Sequence, residues 1–283
     1  MPAGRPADRG GARSHRRPPT RRQGSACVAP GGCRNEEARL ARHGGSRSGV
    51  KALPSPRITW LTQGGFVFEA NGFRLVVDPY MSDSLAGKVT RLVGFPLALE
   101  DLRPDVVICT HDHLDHLDPE TITMIARRYP RCAFGGSERA HRHLAELGID
   151  SPLLLEIGHP VTLGPFGITP VFALHSDPSA TGLVIEADGW RIYLTADTEY
   201  DDSLFSTTTT APDALLICIN GRLGNMNWQE AVQAAQRLET PVALPMHYGL
   251  FAENTEDPAP FIAACREAGI ASYEMPLGKP FTL

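Results

Sequence analysis

The sequence predicts an α/β fold in which two β-sheets pack face to face and helices cover both outer faces, a four-layer α/β/β/α sandwich. Two observations lead to this prediction. Short apolar runs typical of strands open each half of the chain beyond residue 56, and helical patterns follow them in both halves. Asn71-Gly72 and Asp188-Gly189 lie between neighbouring apolar runs, where such pairs form tight hairpin turns.

The elements follow in order along the chain. In the first half, apolar runs predict strands at 57–61, 66–70, 73–77, 105–109 and 132–134, with helices near 119–129 and 137–147. The second half has predicted strands at 167–174, 182–187, 190–194, 214–219 and 242–246, with helices at 227–239 and 258–268. The first helix has a clear start, because Asp118 is a favourable N-cap and Pro119 suits the first turn.

The first 52 residues differ in composition from the rest of the 283-residue chain. They are rich in Arg, Gly, Pro and Ser. Residues 1–51 contain 12 Lys and Arg against 3 Asp and Glu, which leaves 15 basic and 29 acidic residues beyond. We expect a disordered basic extension over 1–52 and one folded domain over 53–283. Alternatively, the extension binds nucleic acid or is a transit peptide, or translation begins near Val50 and residues 1–49 are not made.

Charge and cysteine usage narrow the function classes. The excess of acidic residues beyond residue 51 argues against a long groove for nucleic acid, because such a groove needs many phosphate contacts. No apolar stretch approaches the roughly 20 residues that a membrane span requires. The six cysteines lack metal-like spacing, and Cys109, Cys132 and Cys218 lie in apolar runs. We therefore expect a soluble protein of the reducing cytoplasm, with free thiols and no membrane span.

One short segment concentrates metal-binding side chains in the predicted loop after strand 105–109. Four of its residues can ligate a metal, namely His111, His113, Asp115 and His116. His111 and His113 lie two apart on an extended stretch, so both imidazoles can face one ion. Asp115 and His116 follow as the chain turns and can face a second ion beside the first. Imidazole and carboxylate suit zinc, manganese or iron. The alternative is a solvated loop that is rich in histidine by chance.

A second H-x-H pattern serves as an internal control. His141 and His143 lie within the helix predicted at 137–147. Residues two apart on a helix are about 200° apart around its axis, so these two imidazoles cannot share an ion. We expect both to be surface histidines.

Three later predicted strands also end on polar residues. His175 follows strand 167–174, Asp197 follows strand 190–194, and His247 follows strand 242–246. Taken singly, each has an ordinary structural reading: a capping histidine, a turn aspartate and a core histidine with its hydrogen bonds satisfied.

Taken together, H-x-H-x-D-H followed by a His, an Asp and a final His resembles the metallo-β-lactamase superfamily over roughly residues 57–283. The resemblance implies the sandwich fold, a metallo-hydrolase domain over 53–283 and two divalent metal ions, zinc or manganese. It implies that one ion is held by His111, His113 and His175. It implies that the second is held by Asp115, His116 and His247, with Asp197 bridging both.

Two departures narrow the resemblance. Asp197 stands where zinc-type lactamases often have Cys, which argues against antibiotic hydrolysis. His113 stands where the flavodiiron branch has Glu, which argues against redox chemistry.

The stretches 172–177, 195–200, 219–227 and 245–249 resemble the L-ascorbate-6-phosphate lactonase-like branch. A neighbouring branch, similar to the N-acyl-phosphatidylethanolamine phospholipases, cleaves phosphodiesters with the same centre.

The expected chemistry is metal-dependent hydrolysis. Divalent ions lower the pKa of bound water towards 7, so a metal-bound hydroxide is the expected nucleophile. Asp115 is the candidate catalytic residue, because it can ligate an ion and accept a proton from the attacking water. Asp112 and Asp177 are candidates for accepting imidazole N–H groups behind the ligands. Their alternative is that of solvated loop acids.

The expected substrate is a small molecule: an ester, a lactone such as L-ascorbate 6-phosphate, or a phosphodiester cleaved by a phospholipase D-like activity. Arg222, with Asn220 and Asn225 in the same Gly-containing loop, is a candidate for holding a substrate phosphate or carboxylate. A surface salt bridge is the alternative for Arg222. The sequence leaves a homo-oligomer as an alternative to a monomer. A different class of function is a non-catalytic scaffold that holds metal while the basic extension binds nucleic acid, and truncation to Val50 would distinguish the two.

Overall fold

A computed structural model of the protein describes residues 56–283. The expectation of a basic extension over 1–52 lies outside these residues, and the domain start at residue 53 stays a prediction. Within the described range, no helix combines the length and the apolar character that crossing a membrane requires.

The first β-sheet has seven strands, numbered here in chain order. They are β1 (Arg57–Thr62), β2 (Gly65–Ala70), β3 (Phe73–Val77), β4 (Val106–Cys109), β5 (Ala133–Gly136), β6 (Leu153–Leu154) and β13 (Pro280–Phe281). Their spatial order is β13-β1-β2-β3-β4-β5-β6. The pairs from β13 to β3 are antiparallel, and the pairs from β3 to β6 are parallel.

The second sheet has six strands. They are β7 (Val161–Leu163), β8 (Phe166–Phe172), β9 (Thr181–Ala187), β10 (Trp190–Leu194), β11 (Ala214–Cys218) and β12 (Ala243–Met246). Their spatial order is β12-β11-β10-β9-β8-β7. The pairs from β7 to β10 are antiparallel, and those from β10 to β12 are parallel.

Five α-helices and a short 3₁₀ helix, Asp202–Leu204, connect these strands. The α-helices are α1 (Leu99–Leu102), α2 (Pro119–Arg128), α3 (Glu138–Glu146), α4 (Trp228–Arg237) and α5 (Pro258–Glu267). Helix α2 starts as predicted, since the Asp118 carboxylate accepts a hydrogen bond from the Thr121 backbone N–H at 2.9 Å. Elements α1, β6, β7 and β13 were not predicted, because two to four residues are too few to show a period.

Strand side chains alternate between two cores, because successive residues of a strand point to opposite faces of the sheet. In β3, Val76 packs with α2 and α3, whereas Leu75 and Val77 belong to the larger core shared with the second sheet. Helices α4 and α5 pack against β11 and β12. The layers therefore follow the order helix, sheet, sheet, helix, and the predicted four-layer sandwich is confirmed.

The loops after the strands of both sheets meet at one edge of the sandwich. The backbone N–H of His247, after β12, donates to the carbonyl of Gln63, after β1, at 3.2 Å. The backbone N–H of Thr181, at the start of β9, donates to the carbonyl of Thr110, after β4, at 3.1 Å. These bonds join the two sheets where the predicted ligands lie.

Candidate metal centre

Three imidazoles converge in the first cluster. Nε2 of His111 lies 3.0 Å from Nδ1 of His113, and Nε2 of His175 lies 3.1 Å from the same Nδ1. The ring planes are nearly perpendicular in pairs, at 73° to 83°. The structure therefore brings together the three histidines predicted for one ion, although they come from loops in different sheets.

A second cluster adjoins the first and contains Asp115, His116 and His247. Nε2 of His247 lies 3.3 Å from Nε2 of His116 and 3.5 Å from Oδ2 of Asp115. Both imidazoles are fully buried, whereas the Asp115 side chain is 18% exposed. The Asp115 carboxylate is thus the candidate ligand of this cluster that solvent can reach.

Asp197 lies between the two clusters. Its Oδ2 is 3.0 Å from Nε2 of His247 and 3.9 Å from Nε2 of His175. Its Oδ1 is 3.4 Å from Nε2 of His116, yet this buried oxygen has no hydrogen-bond partner. A buried carboxylate oxygen without a donor is costly unless a cation compensates it. Asp197 therefore has the position expected of a bridging ligand.

The donor atoms fit divalent cations in chemistry and spacing. Tetrahedral ligands about 2.0–2.1 Å from a zinc ion lie roughly 3.3–3.4 Å from one another. Four donor pairs in the two clusters lie between 3.0 and 3.5 Å apart, and Nε2 of His116 lies 4.0 Å from Oδ2 of Asp115. Several of these pairs join two nitrogen atoms, whose lone pairs repel unless a proton or a cation lies between them. The residues present therefore fit a metal centre.

Hydrogen bonds behind the ligands fix the imidazole orientations. Nδ1 of His111 lies 3.0 Å from the Thr110 hydroxyl, and Nδ1 of His175 lies 2.9 Å from the carbonyl of Gly224. Nδ1 of His116 lies 2.8 Å from Oδ2 of the fully buried Asp78. Each contact leaves Nε2 facing the cluster, which is how such outer partners usually prepare a ligand histidine.

Charge divides the histidines into two groups. Burial lowers the pKa of His111 well below its usual value and also lowers that of His113. For His247, burial opposes protonation, but the carboxylates of Asp197 and Asp115 outweigh it and raise the pKa to about 9. The same carboxylates raise the pKa of His116 well above its usual value. The carboxylates of Asp115 and Asp197 therefore favour positive charge at this cluster, which protons supply without metal and a bound cation would supply in their place.

Metal binding to the Asp115 cluster should release protons at pH 7. Both His116 and His247 are protonated there without metal, and ligation requires neutral imidazole. His111 is already neutral at this pH, so the three-histidine cluster should release fewer. Calorimetric metal titrations in buffers of different ionisation enthalpy would count the protons. The count should fall as the pH rises through about 9, where His247 loses its proton. An equal count at pH 7 and pH 10 would contradict this charge assignment.

Sequence reasoning missed Gln63 and Asp78, which also contact the ligands. Nε2 of Gln63 donates to Oδ2 of Asp115 at 3.0 Å, and the side chain is fully buried. Asp78 accepts hydrogen bonds from the backbone N–H and the hydroxyl of Thr110, in addition to its contact with His116. Both residues directly follow apolar strands, β1 and β3, which is the same signal that marked the later ligands.

Gly64 allows His116 and Asp78 to approach the backbone. A Cβ at position 64 would lie 2.7 Å from Cε1 and 2.9 Å from Nδ1 of His116. We expect Gly64→Ala to displace this imidazole and to weaken metal binding about 10- to 100-fold, as loss of an outer partner does. Chelator competition would measure the change. Gly94→Ala is the matched control, because a Cβ there meets nothing within 4 Å. Equal affinities in both variants would show that His116 tolerates the shift.

Asp112 and Asp177 lie beside the centre but face elsewhere. The Asp112 carboxylate lies 2.6 Å from Nδ1 of His143 on α3, and its backbone N–H donates to Oδ2 of Asp177 at 2.9 Å. The other oxygen of Asp177 accepts from the backbone N–H and the hydroxyl of Ser179, each at 2.8 Å. Asp112 thus connects the loop of residues 110–116 to α3, and Asp177 accepts a hydrogen bond from the same loop. His143, which we expected only at the surface, takes part in this link.

Two adjacent cavities open beside the ligands. The first, of about 400 Å³, is lined by His113, Asp115, His175, Ser176, Asp197, Leu223 and Asn254. The second, of about 330 Å³, is lined by residues that include Arg222, Leu223, Glu199 and Glu230. Leu223 borders both cavities, is 76% exposed and has a φ of +55°. Arg222 is exposed in the second cavity, whereas Asn220 and Asn225 are buried and hydrogen-bond to each other at 3.0 Å.

Comparisons with known proteins agree with this arrangement. A family model described as a beta-lactamase superfamily domain matches residues 73–248. A UPF0173 metal-dependent hydrolase of Thermofilum pendens is 31% identical over 215 residues, covering 72% of this chain and 89% of that protein. One from Methanosarcina mazei is 29% identical over 217 residues, covering 72% and 88%. The solved structure of Igni18, a metallo hydrolase from Ignicoccus hospitalis, is 26% identical with a TM-score of 0.65, covering 81% of this chain and 98% of that one.

The fold and the clustered ligands define a protein with the metallo-β-lactamase fold. The chain belongs to the metallo-β-lactamase superfamily and, within it, to the UPF0173 family of metal-dependent hydrolases. The predicted superfamily and hydrolase class are thus confirmed, whereas membership of the lactonase-like branch stays a prediction.

Proposed function

We propose that the protein hydrolyses a small lactone or ester that carries a phosphate group, such as L-ascorbate 6-phosphate. One observation carries this proposal: four of the seven proposed ligands line one cavity, and an exposed arginine lines the cavity that adjoins it. The proposed ligands are His111, His113 and His175 in one cluster, Asp115, His116 and His247 in the other, with Asp197 between them.

The proposed centre holds two divalent ions. When bound, such ions supply hydroxide at neutral pH and polarise the oxygen of the bond to be cleaved. Asp115 is the proposed proton acceptor. Gln63 holds its Oδ2, and within residues 56–283 no side chain or backbone group donates to its Oδ1, which is left to take a proton. Without metal, burial raises the pKa of Asp115, but the neighbouring imidazoles of His116 and His247 outweigh it and lower this pKa, so the carboxylate is ionised before metal binds.

Arg222 supports a phosphorylated substrate. Its guanidinium makes no hydrogen bond or ion pair with another residue of the range 56–283 and lines the cavity next to the centre. The carboxylate of Glu230 in the same cavity already accepts from the backbone N–H of Asn227 at 3.0 Å. A planar guanidinium without a partner suits a phosphate that it can bind through two N–H groups. The reacting carbonyl would then lie at the ligands and the phosphate beyond Leu223.

Arg222→Ala should raise KM for L-ascorbate 6-phosphate and leave kcat nearly unchanged. Losing hydrogen bonds to a charged group costs about 1.5–3 kcal/mol, which corresponds to roughly 10- to 150-fold in KM. Steady-state kinetics would measure both constants. A lactone without phosphate is the control substrate, because the variant should hydrolyse it like the wild type. An unchanged KM for the phosphorylated lactone would exclude Arg222 as the phosphate ligand.

The test of the proposed function is hydrolysis of L-ascorbate 6-phosphate by the full chain, reconstituted separately with zinc and manganese. His113→Ala is the inactive control, since it removes a ligand of the three-histidine cluster. We expect turnover that depends on metal and is lost in the variant. Absence of turnover with either metal would reject this substrate.

A phosphodiesterase is the second candidate, because Arg222 would bind a phosphodiester in the same way. Hydrolysis of bis(4-nitrophenyl) phosphate without hydrolysis of the lactone would favour the phosphodiesterase over the lactonase.

Zinc or manganese as the resident metal and a cytoplasmic location remain part of the proposal. The location is supported by Cys109, Cys132, Cys218 and Cys265, which are free thiols.

A further inference from the structure

Three asparagine side chains form a hydrogen-bonded chain that ends at the metal centre. Nδ2 of Asn225 donates to Oδ1 of Asn220 at 3.0 Å, and Nδ2 of Asn220 donates to Oδ1 of Asn254 at 2.7 Å. The three residues are between 1% and 8% exposed. Each amide in the chain therefore depends on its neighbour for its orientation.

A contact with a backbone carbonyl favours this direction of the chain. Nδ2 of Asn220 also donates to the carbonyl of Arg222, at 3.4 Å. A reversed Asn220 amide would place its oxygen against this carbonyl oxygen and against Oδ1 of Asn254. Because the oxygen of Asn254 is already engaged, the group that Asn254 has left to offer is its NH₂ donor.

The loop that carries Asn254 is held in place from several sides. The backbone N–H of Asn254 donates to the carbonyl of Phe251 at 3.1 Å, which closes a tight turn. The Phe251 ring packs edge-on against Tyr80, with centroids 5.6 Å apart. The backbone N–H of Ala252 donates to the carbonyl of Thr90 at 2.9 Å. Asn254 therefore lines the cavity of the metal centre from a backbone that is held in place.

We propose that the side-chain amide of Asn254 donates a hydrogen bond to the substrate oxygen that becomes negatively charged during hydrolysis. This oxygen belongs to a carbonyl or phosphoryl group, so the inference rests on the proposed function. The ligand carboxylates of the same cavity are acceptors and cannot serve this oxygen. A donor that is already oriented needs no reorganisation when the charge develops, which makes such contacts effective in catalysis.

Asn220 and Asn225 are then positioning residues instead of the substrate contacts that the sequence suggested. Asn225 orients Asn220, and Asn220 orients Asn254. Neither residue lines the cavity beside the ligands, whereas Asn254 does, which agrees with this role.

Binding of inorganic phosphate to the metal-loaded full chain tests the proposal without requiring turnover. Asn254→Ala should weaken phosphate binding, measured by calorimetry, about 10- to 100-fold, the usual loss for a hydrogen bond to a charged group. Metal content should stay at the wild-type value, since Asn254 is not a ligand. Glu267→Gln is the control, because this exposed side chain of α5 lines neither cavity and the variant should bind phosphate like the wild type.

Asn220→Leu tests the positioning role with a side chain of similar size. It leaves Asn254 in place but removes the donor that holds its oxygen, so phosphate binding should weaken by a smaller factor. Phosphate binding equal to the wild type in Asn254→Ala, with metal retained, would overturn the proposal. Wild-type binding in Asn220→Leu would overturn the positioning role.

Hydrolysis measured on the same proteins separates this inference from the proposed function. With a substrate that the wild type cleaves, Asn254→Ala should lower kcat about 10²- to 10³-fold, and an unchanged kcat would overturn the inference. If the wild type cleaves neither the lactone nor the phosphodiester while phosphate binding still depends on Asn254, the proposed function fails and the donor role stands.

Discussion

Asp197→Asn should abolish most of the hydrolytic activity and lower the metal content of the purified protein. Asp197 is the side chain that contacts both ligand clusters, through Oδ2 towards His247 and His175 and through Oδ1 towards His116. Asparagine keeps the size but has one oxygen and no negative charge. We expect a loss larger than the about 10- to 100-fold that removal of an outer partner causes, because a ligand itself is removed.

Elemental analysis and steady-state kinetics on the same preparation would test this expectation. The control is Asp150→Asn, an exposed aspartate whose recorded hydrogen bond is with the neighbouring Ser151. A variant that retains wild-type metal content and turnover would show that Asp197 does not bridge the clusters. A variant that loses metal but keeps its unfolding temperature would separate the effect on the centre from an effect on the fold.

The candidate metal centre could be proposed from the sequence because polar residues gather in one short segment and at the ends of three predicted strands. His175, Asp197 and His247 each follow a predicted strand, but each also had an ordinary structural reading, and the resemblance to the superfamily joined them to one ligand set. The dense pattern between His111 and His116 supplied the chemistry. The sequence alone did not establish which atoms meet, since that depends on how two sheets pack.

For the other site residues, the neighbouring sequence either gave no indication of a role at the site or indicated a different one. Gln63 and Asp78 also follow strands, but a lone glutamine and an Asp-Pro pair are ordinary turn residues. Asn254 has no such signal, because its place in the cavity depends on contacts with the distant segment that contains Thr90. Helical spacing predicted that His143 does not share an ion with His141, but it could not indicate the tertiary contact between His143 and Asp112.

Asp78→Asn should weaken metal binding and destabilise the protein at the same time. The carboxylate accepts from the backbone N–H of Thr110 at 2.7 Å, from the Thr110 hydroxyl, and from Nδ1 of His116 at 2.8 Å. An amide has one acceptor oxygen, so its NH₂ group must face at least one of these donors. If it faces Nδ1 of His116, the imidazole is turned or changes tautomer, and Nε2 no longer points to the ion.

The expected loss of stability in Asp78→Asn follows from the burial of this carboxylate. Asp78 is 1% exposed, and removing one partner of a buried ion pair costs about 3–5 kcal/mol. Denaturant unfolding would measure the stability, and chelator competition should show a 10- to 100-fold lower affinity. Asp105→Asn is the control, because Asp105 accepts from the backbone N–H of Arg74 at 2.8 Å on the exposed side of the same strand pair. Metal affinity should fall in the Asp78 variant alone. If both variants lose stability equally and neither loses metal, Asp78 only supports the backbone of the Thr110 loop and does not orient His116.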